Sequence, residues 1–86
     1  MKVFRLNDFD WYMAETLEQA IATAVSDFHG LSREVLLDDE REVTPREMNR
    51  LLFIKRDGTT CTFAEELARR IAAGETRPQM FATTEY

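Results

Sequence analysis

The pattern of hydrophobic and polar positions is most regular between Thr16 and Gly30, where it predicts an amphipathic helix. Apolar residues recur there at helical spacing and share one face: Leu17, Ala20, Ile21, Ala24, Val25 and Phe28. Thr16 and Gln19 have the spacing of a capping box, and Gly30 is a typical residue just beyond a helix end. Because so short a helix is marginal in water by itself, its apolar face must be covered, and a short sheet has a suitable length.

Two further capping boxes predict helices in the second half of the chain. The Thr-Pro-Arg-Glu run at residues 44–47 begins a short helix that ends near Leu51. Thr62 begins a longer helix that ends near Gly74. The apolar stripe of this longer helix consists of Phe63, Ala64, Leu67, Ala68 and Ile71.

Charged residues four positions apart are expected on the outer face of the longer helix. Glu65 with Arg69, and Glu66 with Arg70, have the favourable order for such pairs. Each pair is expected to be exposed and to stabilise the helix by about 0.3 kcal/mol.

Strands are predicted where apolar and polar residues alternate or where β-prone residues cluster. These segments are residues 2–6, 11–14, 52–56, 59–62 and 79–84. Between the third and fourth, Asp57-Gly58 is typical of a two-residue hairpin loop. That loop places Ile54 opposite Cys61, on the face that carries Leu52, and therefore predicts a buried cysteine.

The order of these elements is β-β-α-(short α)-β-β-α-β, with one possible helical turn after Ser32. We expect residues 1–86 to form a single domain, since this length is typical of one. The expected fold is a two-layer α+β arrangement, in which two main helices pack on one face of a four- or five-stranded antiparallel or mixed sheet. The N- and C-terminal strands are the expected edges of that sheet.

The net charge of −5 is unevenly distributed along the chain. Residues 1–43 carry four basic and ten acidic side chains, a balance of −6, whereas residues 44–86 carry seven and six, a balance of +1. This sign does not favour direct binding of nucleic acid. No apolar run approaches the roughly 20 residues of a membrane span, and the first residues lack the apolar stretch of a secretory signal. The sequence therefore predicts a cytoplasmic protein with no membrane partner.

Patterns typical of catalysis and of metal or cofactor binding are not found in the sequence. His29 and Cys61 are its only histidine and cysteine, too few for the usual zinc sites. The predicted hairpin buries the thiol, which makes it unreactive. The three glycines each fit a helix end or a turn rather than a phosphate-binding loop. We therefore expect a protein that is not an enzyme and that holds no metal and no cofactor.

Surface residues are the remaining candidates for function. If Trp11 and Met13 face inward, Tyr12 faces outward, where an aromatic side chain is typical of an interface. Alternatively, the aromatic residues complete the core. Acidic residues beside exposed aromatic ones suit a protein partner with a basic surface. The candidate interaction surface consists of Trp11, Tyr12, Asp38, Asp39, Glu40 and Tyr86.

Four stretches in order, KVFRLNDFDWYMAETLEQA, REVTPREM, RDGTTCTFAEELA and MFATTEY, cover most of the chain. Together they resemble a group of small proteins encoded in phages and prophages of proteobacteria. The resemblance implies a cytoplasmic, phage-related setting, but it brings no defined activity and no functional residues. Small acidic proteins in such a setting often bind a host protein, and anti-defence inhibitors are among them, so the resemblance also implies action of this kind.

These observations favour a non-catalytic module that binds a host or phage protein. One alternative is a small homo-oligomeric structural protein whose strand edges pair with its own copies. Another is an acidic mimic of DNA that inhibits a nucleic-acid-binding protein. A minor enzyme or enzyme subunit is the third.

Overall fold

The computed structural model describes residues 1–84, which contain six strands and four helices. In order, they are β1 (Lys2–Arg5), β2 (Asp10–Ala14), α1 (Leu17–Asp27), α2 (Arg33–Leu36), β3 (Arg41–Glu42), α3 (Pro45–Met48), β4 (Leu52–Ile54), β5 (Thr60–Thr62), α4 (Phe63–Ala72) and β6 (Gln79–Thr83). The two-residue strand β3 is the one element that the sequence pattern does not predict.

The described chain divides into two compact units. Unit 1 consists of Met1–Glu42 together with the described residues from Arg77 onward, and unit 2 consists of Val43–Thr76. Each unit contains its own sheet, with four strands in unit 1 and two in unit 2. The single-domain expectation stays a prediction.

The sheet of unit 1 has the strand order β3-β1-β2-β6, and every neighbouring pair is antiparallel. The predicted hairpin of β1 and β2 is present, with Lys2 opposite Ala14 and Arg5 opposite Trp11. The expectation that the N-terminal strand is an edge is wrong, because β3 pairs with its other side. The edges of this sheet in the described chain are β3 and β6.

Helix α1 packs against β2 and β6 of this sheet, as its apolar stripe requires. The Thr16 hydroxyl accepts a hydrogen bond from the Gln19 amide at 3.2 Å. The Gln19 side chain in turn accepts from the amide of Glu15 at 2.8 Å, one residue before the predicted partner. The core around the helix consists of Phe4, Leu6, Tyr12, Ala14, Ala20, Ile21, Ala24 and Leu36.

Both faces of β1 and β2 are buried, which corrects the expectation for Tyr12. Phe4 and Tyr12 lie opposite one another in the core beneath α1. Val3 and Met13, which point to the other face of the sheet, are at most 1% exposed. Tyr12 is completely buried, and its hydroxyl donates a hydrogen bond to the Asp27 carboxylate at 2.7 Å. It belongs to the core and not to an exposed surface.

The hairpin of unit 2 has a different register from the predicted one. Ile54 lies opposite Thr60 and Phe53 opposite Cys61, because the loop contains three residues instead of two. The Gly58 amide donates to the Lys55 carbonyl at 2.9 Å, which closes a turn, and Gly58 alone in the loop has positive φ. This is the three-residue loop in which a turn is followed by a left-handed glycine.

The changed register also changes the faces of the hairpin. Leu52 and Ile54 share a face and are 62% and 60% exposed. Cys61 lies on the opposite face with Phe53 and is only partly buried. The prediction of a fully buried cysteine beside Ile54 is therefore wrong.

Helix α4 begins with the predicted capping box, in which Thr62 and Glu65 each accept from the other's backbone amide. It contacts both strands of the hairpin and α3. Its predicted apolar stripe is only partly buried, since Ala68 and Ile71 are exposed. The buried residues of α4 are Phe63 and Glu66.

Glu66 is buried and pairs with two arginines, where two exposed pairs are expected. Glu66 is 2% exposed and accepts hydrogen bonds from Arg69 and from the Arg70 Nε, the latter at 2.7 Å. The Arg70 guanidinium also lies 5.4 Å from the centre of the Phe53 ring. Glu65 bonds to the helix cap, so the expected Glu65–Arg69 pair is replaced by Glu66–Arg69.

The α+β class is confirmed by these elements. The packing of two main helices on one face of a single sheet is not confirmed, because α1 contacts the sheet of unit 1 and α4 contacts the hairpin of unit 2. Across residues 1–84, no helix has the length and apolar character needed to cross a membrane.

Candidate functional site

An open cavity of about 360 Å³ lies in unit 1, where the turn between β1 and β2 meets the segment around α2. All of its lining residues belong to this unit: Asn7, Asp8, Phe9, Asp10, Phe28, Leu31, Val35, Leu36 and Asp38. The lining combines apolar residues with three aspartates. The cavity is therefore suited to a ligand with both apolar and cationic groups.

Asn7 holds the polar side of the cavity together. Its side-chain oxygen accepts from the amides of Phe9 and Asp10, at 2.8 and 3.0 Å, which is an Asx turn. Its side-chain nitrogen donates to the Leu36 carbonyl at 2.8 Å and to the Asp10 carboxylate at 3.2 Å. One amide side chain thus fixes both the β1–β2 turn and the end of α2.

Asp10 is a structural carboxylate despite its place in the lining. It is 5% exposed, and it accepts hydrogen bonds from Asn7 and, at 2.9 Å, from the Thr83 hydroxyl on β6. Both oxygens are therefore satisfied within the fold, as expected for a buried carboxylate.

The apolar side of the cavity is unusually exposed. Phe9, Leu31 and Val35 are 51%, 43% and 70% exposed. Leu31 precedes Ser32, the N-cap of the single-turn helix α2, and Val35 lies within that helix. Because these side chains surround one cavity rather than lying singly on the surface, they form an apolar patch that a partner can cover.

Arg5 fixes the acidic loop at the rim of the cavity. Its Nη1 donates to the carbonyl oxygens of Asp38 and Asp39, at 2.7 and 2.8 Å, and its Nη2 donates to the Asp8 carboxylate. The Asp39 carboxylate lies 3.5 Å from Arg5 and 3.9 Å from Arg41. Asp39 has φ of 56°, a conformation that Asp tolerates better than most residues.

The sequence-predicted surface residues are only partly brought together. Asp38 lines the cavity, and Asp39 and Glu40 follow it as exposed residues of the same loop. Trp11 is partly buried and Tyr12 fully buried, so Tyr12 is excluded as an exposed anchor. Tyr86 lies outside the described residues.

The surface predicted from the sequence does not include Phe9, Leu31 and Val35, which line the cavity. The sequence holds a weak signal for two of them, since Leu31 and Val35 are four positions apart around a capped turn. Phe9 lies within the turn segment Asn7-Asp8-Phe9-Asp10, where an apolar residue has no strand partner to bury it. An apolar residue in a turn is the kind of signal that indicates such a surface.

The other chemically distinctive residues do not form a site. His29 is exposed in the turn that follows the C-cap of α1. Cys61 is the free cysteine of the unit 2 hairpin. Within residues 1–84, no group of three or more histidine, cysteine or acidic side chains is arranged to hold a metal ion.

Comparisons with known proteins find no relative. No protein-family model matches the sequence, and the searches of curated proteins and of solved structures give no match.

Proposed function

We propose that this chain is a non-catalytic module of a phage or prophage that binds a host or phage protein in the cytoplasm. Binding takes place at the cavity between the β1–β2 turn and α2. The partner inserts an apolar group between Phe9, Leu31 and Val35.

The observation that carries this proposal is the exposed apolar wall of a built cavity. Three large apolar side chains, each at least 43% exposed, surround one opening. Monomeric proteins seldom leave such a group uncovered unless it binds something. A small-molecule site encloses most of its ligand, whereas this wall stands at the surface, so the chain of a protein partner is the better fit.

Substitution of Val35 tests the proposal with little risk to folding. Val35 is 70% exposed, so Val35→Asp removes apolar contact and adds charge without disturbing the core. Ile54→Asp is the matched control, because Ile54 is a β-branched residue that is 60% exposed on unit 2. Circular dichroism melts of both variants are expected to match the parent protein.

The measurement is affinity capture from host and phage-infected lysates, with quantitative mass spectrometry. A partner captured by the parent protein and by Ile54→Asp, but lost with Val35→Asp, supports the proposal. Equal capture by all three proteins refutes it, because the apolar wall then makes no contact with the partner.

The homo-oligomer alternative predicts pairing through β3 or β6, the edges of the sheet in unit 1. Light scattering over a range of concentrations separates it from the proposal, which requires no self-association. The DNA-mimic alternative predicts that the captured partner binds DNA competitively with this chain. A captured partner that binds DNA and this chain without competition between them argues against mimicry.

A further inference from the structure

We propose that the bound segment of the partner carries a lysine or arginine next to its apolar side chain, and that this cation pairs with Asp38. The inference rests on the proposed function, and it names the chemistry of the partner and the residue that selects it. It follows from how the carboxylates that line the cavity are used.

Two of the three aspartates that line the cavity have carboxylates already engaged within the fold. Asp8 is paired with Arg5, and Asp10 is buried and bonded to Asn7 and Thr83. The Asp38 carboxylate is exposed and makes no hydrogen bond or ion pair with any residue of the described chain. Asp38 is therefore the lining residue whose negative charge is available to a ligand.

The position of Asp38 is fixed although its carboxylate is free. Its backbone amide donates to the Leu6 carbonyl at 2.8 Å, and its carbonyl accepts from Arg5 at 2.7 Å. Leu6 is completely buried, so the backbone of Asp38 is attached to the core. A charge presented by a fixed backbone loses little entropy when it pairs with a ligand.

The apolar wall beside Asp38 adds to the selection of a basic segment. When a partner covers Phe9 and Val35, water is excluded near the carboxylate, and its attraction for a cation increases. The balance of −6 over residues 1–43 also favours the approach of a basic partner. An acidic segment would bring its own charge against Asp38 and is disfavoured at the same place.

The test uses three synthetic peptides with the same central leucine, which is flanked by lysine, by glutamine or by glutamate. Binding to the full chain is followed by amide chemical shifts in ¹⁵N NMR spectra, which detect binding up to millimolar Kd. Asp38→Asn removes the proposed partner charge. Glu34→Gln is the matched control, because Glu34 is an exposed carboxylate on α2 that does not line the cavity.

We expect the lysine peptide to bind and to shift the amides of Phe9, Val35 and Asp38. Asp38→Asn should weaken it about three- to tenfold, the size expected of one partly exposed charge pair, while Glu34→Gln should leave its Kd unchanged. The glutamine peptide should bind weakly and equally to the parent protein and to Asp38→Asn.

Equal affinity for the lysine and glutamine peptides overturns the inference, as does an equal effect of the two protein substitutions. Lack of binding by the lysine peptide also overturns it. If the same amides shift with protein concentration alone, a second copy of the chain occupies the site, and the inference is overturned as well. If the partner captured through Val35 is retained by Asp38→Asn at every salt concentration, this inference fails and the proposed function stands. If capture does not depend on Val35, the proposed function itself fails.

Discussion

Among the charged groups of unit 2, the buried Glu66 carboxylate is expected to contribute most to the free energy of unfolding. Glu66→Gln keeps the volume of the side chain but removes its charge, and it leaves the Arg69 and Arg70 guanidinium groups without their carboxylate. The Arg69 side chain is 55% exposed, so solvent screens its pair with Glu66, and the pair adds little to stability. The Arg70 side chain is 11% exposed, and its charge-assisted bond at 2.7 Å contributes about 1.5–2.5 kcal/mol. We therefore expect the free energy of unfolding to fall by about 1.5–2.5 kcal/mol.

This loss is large for so small a protein. A chain of 86 residues has a total stability of about 4–13 kcal/mol. The assay is urea unfolding followed by circular dichroism at 222 nm, with Arg69→Gln as control. That control removes only the exposed partner of Glu66, so its free energy of unfolding should stay close to that of the parent protein.

The dependence on pH gives the sign of the effect independently. Hydrogen bonds from Arg69, and those from Arg70, lower the pKa of Glu66 below its ordinary value despite burial. Glu66 therefore binds a proton less readily in the folded state than in the unfolded chain. The stabilisation by its ionised carboxylate is complete above the ordinary glutamate pKa of about 4.3. It disappears as the pH falls through the lowered pKa of the folded state.

The difference in stability between the parent protein and Glu66→Gln should be constant near neutral pH and shrink under acidic conditions. A Glu66→Gln protein within 0.5 kcal/mol of the parent at pH 7 would refute the reasoning. So would a difference that grows as the pH falls.

Three further changes are expected to lower stability by about 1 kcal/mol each. Thr62→Ala removes one side of the capping box with Glu65, and a thermal melt measures the loss. Gly58→Ala places a side chain where φ is 88°. The loss comes from backbone strain, because the space around the new Cβ is empty, and urea unfolding measures it. Tyr12→Phe loses the hydrogen bond to Asp27. Burial and that bond raise the pKa of the Tyr12 phenol, so the parent protein should also lose stability as the pH rises above about 10, and this part of the loss should be absent from Tyr12→Phe in an alkaline series.

Each of these outcomes has a clear contrary result. A Thr62→Ala protein as stable as the parent protein would contradict the capping argument. Ser26→Ala is the control, because at this exposed position inside α1 loss of a hydroxyl should not destabilise the helix. An increase in stability on Gly58→Ala would contradict the left-handed conformation. An identical alkaline loss in the parent protein and in Tyr12→Phe would show that another group titrates.

The helices could be predicted from the sequence because their signals are local. Thr16, Thr44 and Thr62 are all N-caps in the structure, at the positions where the sequence indicates them. A cap depends on a few adjacent residues, so no knowledge of tertiary contacts is needed to place it.

The hairpin register shows where local signals are insufficient. Asp57-Gly58 permits a two-residue loop only if both residues have positive φ. In the structure only Gly58 does, because the Lys55 carbonyl accepts from Gly58 and shifts the pairing by one residue. A shift of one residue exchanges the two faces of a strand, which explains the errors for Cys61 and Ile54 together.

Burial of Tyr12 and Glu66 could not be predicted from periodicity. Period-2 alternation separates inside from outside only when one face of a sheet meets water, whereas β2 is buried on both faces. Glu66 is buried because Arg70 and Arg69 satisfy it, and a stripe of apolar residues carries no information about such pairing. The candidate site could be predicted only in part. The acidic loop is visible in the sequence, but the cavity beside it depends on a contact of Asn7 with the backbone of Leu36, which is distant in the chain.

The sheet order of unit 1 has a consequence for the protein during its synthesis. Strand β6 completes the sheet beside β2, although all of Val43–Thr76 separates the two strands in the chain. During synthesis on the ribosome, one edge of β2 therefore stays unpaired until the residues of β6 leave the exit tunnel. Nascent chains that stall before that point display an open strand edge, and such chains are natural substrates for chaperones and proteases.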